Sequence, residues 1–243
     1  MPAHLPSRRF NPPVWATLGT LALGAVFASL GSWQLGRSEE KAALFARFDQ
    51  GSAGTEAPAP ADGSTLEADR YAVITASGRY DASHQILLDA RTKDGRAGYD
   101  VVTPLIADGA AILVNRGWVP ANPNRQKLPD IAVAEAPRTV TGLFDTLPRA
   151  ALVAGPLDIR AEMPWPRVML YPTVADIERA VGYPVRDYQL LLTAGEPDGF
   201  NREWRPALLS PQDPVGYALQ WFALAGLLVV LYVALNWRRA PPT

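Results

Sequence analysis

Two uncharged, apolar runs of the sequence carry polar and aromatic side chains that could bind a ligand or a partner. The second run opens with "DPVGYALQWF", which contains Tyr217, Gln220 and Trp221, and Gln34 lies near the end of the first run. A carboxamide without a partner in hydrocarbon costs on the order of several kcal/mol. Each glutamine should therefore face a partner helix, water or a ligand. Tyr217 and Trp221 are four residues apart and share one face of a helix.

Two simpler interpretations of these residues remain open. Tyr and Trp are common where a helix meets the membrane–water interface. Gln34 and Gln220 could also bond to each other across a pair of helices. The spacing alone favours such packing over ligand binding.

A second candidate is "ILVNRGWVP", residues 112 to 120, where an apolar strand ends in Asn115, Arg116, Gly117 and Trp118. Arg beside Trp could hold a carboxylate or phosphate, or stack on an aromatic ring. The favoured interpretation is structural, with Arg116 bonding to loop carbonyls and Trp118 covering the core. His84, in "DASHQ", is expected to be an exposed turn residue.

The composition excludes several classes of function. The 243 residues include no Cys, two His and three Met, so thiolate chemistry and a copper or zinc carrier have no donor set. A net charge of -1 gives no electrostatic basis for binding nucleic acid. No nucleophile motif or phosphate-binding glycine loop is present, which argues against an enzyme; a Ser- or carboxylate-based site is the remaining alternative.

The two apolar runs, residues 14–36 and 214–237, are each long enough to cross a bilayer. Arginine pairs lie at their outer flanks, at positions 8 and 9 and at positions 238 and 239. The positive-inside rule then places both termini in the cytoplasm and the intervening residues on the other side. The alternative for the first run is a cleaved signal peptide ending near Ala28, although the run continues to Leu35.

Helical patterns are also expected around the first span. A stripe of small residues at a spacing of four would admit a neighbouring helix: Thr20, Gly24, Ala28 and Ser32. After the span, "SEEKAALFARFD" keeps a helical period and extends the helix by two or three turns. Residues 51–68, rich in Gly, Pro and Ala, form a connection.

From Tyr71 the pattern changes to short β-branched and aromatic segments separated by turn residues. Asp108-Gly109 predicts a hairpin turn. "TVADIERAVG", residues 173–182, predicts one helix with Thr173 as N-cap, Asp176 completing a capping box and Gly182 at its end. The predicted fold is α+β, with two transmembrane helices flanking an antiparallel β-rich domain, barrel- or sandwich-like.

This divides the chain into six predicted segments. They are a tail (1–13), a first span (14–36), a helix extension and linker (37–70), the β-rich domain (71–213), a second span (214–237) and a second tail (238–243).

Three stretches in this order resemble the surfeit locus protein 1 family of cytochrome c oxidase assembly factors. They are "GSWQLGRSEEK", "GYDVVTPLIADGAAILVNRGWVP" and "RPALLSPQDPVGYALQWFALA". The resemblance runs from about Gly31 to Leu235. Matched positions around the spans are Trp33, Gln34, Arg37, Tyr217, Gln220 and Trp221. Matched positions in the domain are Gly98, Thr103, Pro104, Asn115, Arg116, Gly117 and Trp118.

The resemblance implies a non-enzymatic, two-span membrane protein that assists the maturation of oxidase subunit I together with other assembly factors. It implies haem a as cargo, and the arginines close to the first span favour a bacterial inner-membrane member with a periplasmic domain. The family usually has a His three residues before Tyr217, the natural axial ligand for haem, and this chain has Pro214. If haem binds, Tyr217, His84 or a partner must supply the ligand, or packing alone holds it. The alternative is a haem-free scaffold that holds subunit I.

Overall fold

The computed structural model describes residues 8–149, 163–206 and 213–239. The chain divides into two units, one formed by residues 1–45 and 207–243 and the other by residues 46–206. Within the described residues, two helices are long and apolar enough to cross a membrane: α1 (Val14–Ser52) and, near the C-terminus, α4 (Pro214–Asn236). α1 runs about four turns past the apolar run, further than the sequence pattern predicted.

The first unit is an antiparallel pair formed by α4 and the apolar part of α1. Thr17 Oγ1 lies 2.7 Å from the Tyr232 hydroxyl, and Gly24 lies close to Leu228. Further along, a Cβ added to Gly31 would lie 2.7 Å from the Phe222 ring. The contact positions fall along α4 as they rise along α1, which defines the antiparallel direction. A short ribbon precedes α1 and follows α4, in which β1 (Arg8–Phe10) pairs with β10 (Trp237–Arg239).

The packed face of α1 differs from the predicted stripe. Gly31 is buried, and Thr20, Gly24 and Gln34 are partly buried, whereas Ala28 and Ser32 are exposed. A strict spacing of four advances about 40° per step around the helix, so the predicted stripe rotates away from a straight neighbour. Along α1, residues spaced alternately three and four positions apart stay on the side of the helix that faces α4.

The second unit is built on an eight-stranded mixed sheet with the order β2-β3-β7-β9-β6-β5-β4-β8. The strands are β2 (Ala57–Pro58), β3 (Val73–Tyr80), β4 (Ile86–Lys93), β5 (Arg96–Ala107), β6 (Ala110–Pro120), β7 (Pro137–Asp145), β8 (Arg167–Met169) and β9 (Val185–Leu192). The helices are a single turn, α2 (Leu66–Asp69), and α3 (Val174–Val181).

The sequence predicted an antiparallel sheet, but the observed sheet is mixed. β6 pairs with β9, β4 with β8 and β2 with β3 in parallel. β3 also bonds to β5 through Arg79↔Ile106 and Tyr80↔Leu105, which links the two ends of the run β3-β7-β9-β6-β5. Parallel pairing joins distant segments, so no local turn signal reveals it.

Two local predictions are confirmed. Asp108 and Gly109 both have positive φ, 44° and 81°, and join β5 to β6 as a type I′ hairpin requires. In α3, the Thr173 side chain accepts from the backbone of Asp176, whose carboxylate accepts from the Thr173 backbone in return. Gly182 ends the helix with a left-handed φ of 82°.

The left-handed cap predicts the outcome of a paired glycine substitution. A Cβ at Gly182 or at Gly195 would meet no atom within 4 Å, and of these two only Gly182 has a positive φ. Gly182→Ala should therefore lower the free energy of unfolding by about 1 kcal/mol through backbone strain alone. Gly195→Ala serves as the control and should be nearly neutral. Thermal unfolding of the full chain in detergent measures both, and equal losses would contradict the strain explanation.

Candidate functional site

The candidate residues around the spans collect on one side of the helix pair. Successive residues are rotated by about 100° around a helix axis. By this measure Trp33 lies roughly 130° around α1 from the side that packs on α4, and Gln220 lies roughly 120° around α4 from the side that packs on α1. Because both helices are right-handed and antiparallel, these rotations carry both side chains to the same side of the pair. Phe27 and Trp221, with ring centroids 5.8 Å apart, mark that side, and Phe222 against Gly31 marks the other.

We call this side the carboxamide face, defined by Trp33, Gln34, Arg37, Tyr217 and Gln220, with Trp221 at its inner edge. Continuing the helix register places Gln34 level with Tyr217 and Gln220 about one turn away along the axis. Trp33 is 60% exposed and Tyr217 40% exposed. Arg37 pairs only weakly with Glu40, at 3.4 Å.

The two glutamines do not bond to each other, so that simpler interpretation is wrong. Gln220 is exposed and points away from α1, whereas Gln34 is only partly buried. Across the ranges that the structure describes, neither carboxamide has a hydrogen-bond partner. Both groups are free to bond to a molecule outside the chain.

Pro214 stands where the resemblance described above implies a histidine. It is the first residue of α4, and Asp213 caps the helix by accepting from Val215 N at 3.0 Å. Proline suits this position because its missing N–H would have no helical partner. The described part of the first unit contains no histidine, and His4 lies outside the described residues. On this face, the Tyr217 hydroxyl is the candidate for an oxygen ligand to haem iron.

In the second unit, Arg116 is a buried structural hub. Its guanidinium donates to the carbonyls of Asp198 and Ile131, at 2.8 and 2.9 Å, and to Gln85 Oε1 at 2.9 Å. Burial lowers the pKa of Arg116. All five of its hydrogen-bond acceptors are neutral, and the Asp198 carboxylate compensates the buried charge only through space, without a hydrogen bond. The structural interpretation of the motif therefore holds, and Arg116 has no free donor edge for an anion.

The other motif residues shape the backbone around this hub. Gly117 has a φ of 111°, and a Cβ there would lie 2.7 Å from the Asn201 carbonyl. Trp118 N donates to that carbonyl at 2.8 Å, which ties the end of β6 to the segment that follows β9. Asn115 accepts from Gly117 N at 3.1 Å. Gly98 lies directly against the Trp118 ring and the Val119 carbonyl, so a side chain there has no room.

Thr103 and Pro104 lie on β5 beside the same hub. Thr103 Oγ1 donates to Gln85 Oε1 at 3.0 Å and accepts from Arg116 at 3.3 Å. The Pro104 carbonyl accepts from Asp81 N at 2.8 Å. Gln85, which the sequence analysis did not single out, joins the hub from the loop between β3 and β4.

His84 lies in a turn, as the sequence predicted, but its side chain is only partly exposed and makes specific contacts. Its Nδ1 lies 2.6 Å from Asp81 Oδ2, which also accepts from the Tyr183 hydroxyl at 2.7 Å. The ring makes edge contacts with Trp165 and Tyr183. Desolvation opposes ionisation of Asp81, but hydrogen bonds from Tyr183, His84 and Ser83 lower its pKa overall. Trp165 and Tyr183 are distant in sequence, so nothing near "DASHQ" revealed this cluster.

A cleft beside Trp118 is lined with charged residues, but most of them are neutralised. Arg91 pairs with Asp100 at 3.1 Å and Lys93 with Glu203 at 3.0 Å. The cleft therefore offers little net charge to a phosphate or carboxylate ligand.

The geometry of the hub predicts that Lys cannot replace Arg116. An ammonium cannot reach the acceptors that the planar guanidinium joins on four segments, so Arg116→Lys should cost about 1–3 kcal/mol for each buried acceptor left unpaired. Arg125→Lys is the matched control, since Arg125 is exposed, donates to the Asp89 carboxylate and otherwise contacts the Tyr99 ring. Chemical denaturation of the full chain measures both variants. A similar small loss in each would contradict the role of Arg116 as a hub.

Comparison with known proteins supports the resemblance. A model of the SURF1 family matches residues 21–226, which include both apolar helices in part and the whole sheet. The chain is 32% identical over 127 residues to mouse Surfeit locus protein 1 and 31% identical over 136 residues to that of Arabidopsis thaliana. These matches cover 44% and 50% of the chain, but only 42% and 38% of the relatives. The aligned part is thus less than half the length of either relative. The extent of the family match nevertheless shows that the chain belongs to the SURF1 family.

Proposed function

We propose that the chain is a non-enzymatic membrane factor for the assembly of haem–copper oxidases, and that it holds newly made subunit I through the carboxamide face. Membership of the SURF1 family supports this function, and the two apolar helices support a location in the membrane. The face supplies what docking in a bilayer needs. It combines carboxamides that have no hydrogen-bond partner in the described residues with large aromatic rings that are exposed.

The proposed topology places both termini in the cytoplasm of a bacterial cell and the β-rich second unit in the periplasm. The arginines outside both apolar helices support this orientation. The carboxamide face then lies towards the outer leaflet of the inner membrane. In this arrangement subunit I and its haem a lie at the same depth in the membrane as Gln34 and Gln220.

The observation that carries the proposal is the pair of unpartnered carboxamides on one side of the helix pair. In hydrocarbon each amide gains from a partner on a neighbouring helix or a cofactor edge. Trp33 and Tyr217 flank them. Their rings add apolar contact area, and the indole N–H and the phenol hydroxyl can form hydrogen bonds. The opposite side at the same depth, which includes Ser32 and Leu219, presents no comparable set.

Haem a is the cargo that the family resemblance implies. The residues of the carboxamide face fit it only in part. The aromatic rings and amides suit the edge of a porphyrin, but the described part of this unit offers no imidazole to the iron. The geometry therefore favours a form in which subunit I supplies the haem ligands and this chain holds the subunit. Binding of haem a through Tyr217 is the second form.

Substitutions on the face should reduce oxidase assembly without removing this chain from the membrane. Trp33→Ala and Gln220→Leu each remove one contact of the proposed docking face. We expect both to lower the amount of haem-loaded oxidase several-fold, because interface anchors in buried positions contribute about 2 kcal/mol or more. Oxidase haem content in membranes and co-purification of subunit I measure the effect.

Matched controls lie on the opposite side of the same helices. Leu219→Ala and Ser32→Leu change exposed residues at a similar depth and should leave the oxidase unchanged. Oxidase content that is normal in both face variants, or equally reduced in the controls, would contradict the docking role. A Soret band that follows the purified chain and is altered by Tyr217→Phe would select the haem-binding form. A colourless preparation that co-elutes with subunit I would select the scaffold.

A further inference from the structure

An open groove lies where the hairpin of β4 and β5 meets the loop between β6 and β7. It consists of two adjoining cavities of about 410 and 400 Å³. Arg125 lines only the first cavity and Lys127 only the second, whereas one wall is common to both. That shared wall consists of Arg96, Pro120, Ala121, Asn122 and Pro123. We call this surface the basic groove, because its three cations are spread along it.

Two of these three cations have no partner within the protein. Arg96 and Lys127 are exposed, and neither side chain forms a hydrogen bond or an ion pair within the part of the chain that the structure describes. Other cations near the same hairpin are neutralised, as Lys93 is by Glu203 at 3.0 Å. The groove therefore keeps two positive charges that an external anion can pair with.

The charge of the groove is positive overall. Arg125 is paired with the Asp89 carboxylate at 2.7 Å. Asp130 also lines the groove, whereas Asp94 lines the cleft beside Trp118 instead. Three cations count as +3 and the two carboxylates of Asp89 and Asp130 as −2, which leaves +1. The local charge thus differs in sign from the net charge of the whole chain, which is -1.

Contacts within the chain hold the loop that forms one side of the groove. Asn122 Oδ1 accepts from Asn124 N at 2.9 Å, and Asn124 Oδ1 accepts from Gln126 N at 3.1 Å. Ile131 is buried in a core cluster, and Leu128 packs against the same cluster. A ligand bound in the groove would not have to order this loop, which lowers the entropic cost of binding.

We propose that the basic groove binds an acidic, extended segment of a partner protein. Its cations are spread along the groove, which suits carboxylates spaced along a peptide, whereas a single phosphate favours donors that converge on one point. The prolines and Ala121 of the shared wall offer apolar contact to the aliphatic parts of such a peptide. Because the cations are exposed, the contact should be weak and sensitive to salt. The groove belongs to the second unit, so this inference does not depend on the carboxamide face, and the two fail separately.

The test is binding of a fluorescein-labelled hexaglutamate peptide to the full chain in detergent, followed by fluorescence anisotropy. A labelled peptide of the same length made of Gly and Ser gives the background. We expect saturable binding that weakens about fivefold or more when the salt concentration rises from about 20 to about 200 mM. Arg96→Gln/Lys127→Gln should weaken binding about fivefold or more, whereas Arg96→Lys/Lys127→Arg keeps both charges and should retain most of the affinity.

The control removes the same charge elsewhere in the second unit. Arg79→Gln/Arg149→Gln changes two exposed arginines that also lack a partner among the described residues, and it should keep the full affinity. Equal losses in the two glutamine variants would mean that the peptide responds only to net charge, which would overturn the proposal. So would the absence of saturable binding to the unmodified chain. Displacement of the peptide by inorganic phosphate, but not by chloride at the same ionic strength, would assign the groove to a small anion instead.

Discussion

Close packing of α1 on α4 is the constraint on which the first unit depends. Gly31 has no side chain, so the Phe222 ring can lie against the α1 backbone, and at Gly24 the helix lies within ordinary van der Waals distance of Leu228. Apolar helices in a bilayer gain little from hydrophobic burial, so small residues and van der Waals contact determine how they associate. That packing fixes both rotation and register. It turns Gln34 and Gln220 to one side of the pair and lets residues 8–10 pair with residues 237–239 at its other end.

The second unit depends on a different kind of interaction. Arg116 is buried without a hydrogen bond to a carboxylate, and its guanidinium instead binds neutral acceptors from the loop before β4 and from the segments that contain Ile131 and Asp198. A buried charge held in this way is costly unless every donor is satisfied. The "NRGW" stretch is thus explained by its structural role, and the contacts of Gly117 and Trp118 serve the same junction. The proposed function therefore rests on the first unit.

Local signals in the sequence predicted the elements well, and the long-range pairings poorly. The capping box at Thr173, the Asp108-Gly109 turn and the two apolar helices follow from residues a few positions apart. The parallel pairing of β6 with β9 depends on segments some 70 residues apart, and the hub partner Gln85 carries no motif. The small-residue stripe was wrong at Ala28 and Ser32 because a spacing of four drifts around a straight helix. The turn at His84 was predicted, but its contacts with Trp165 and Tyr183 were not, because those residues are remote in sequence.

The absence of Cys from the chain allows a direct measurement of the helix arrangement. Two double variants, Gln34→Cys/Tyr217→Cys and Gln34→Cys/Leu219→Cys, place thiols at a similar depth but on the same and on different sides of the helix pair. Oxidation in membranes should cross-link the first pair efficiently and the second very little. Equal cross-linking, or a preference for the second pair, would mean that Gln34, Tyr217 and Gln220 do not share a face.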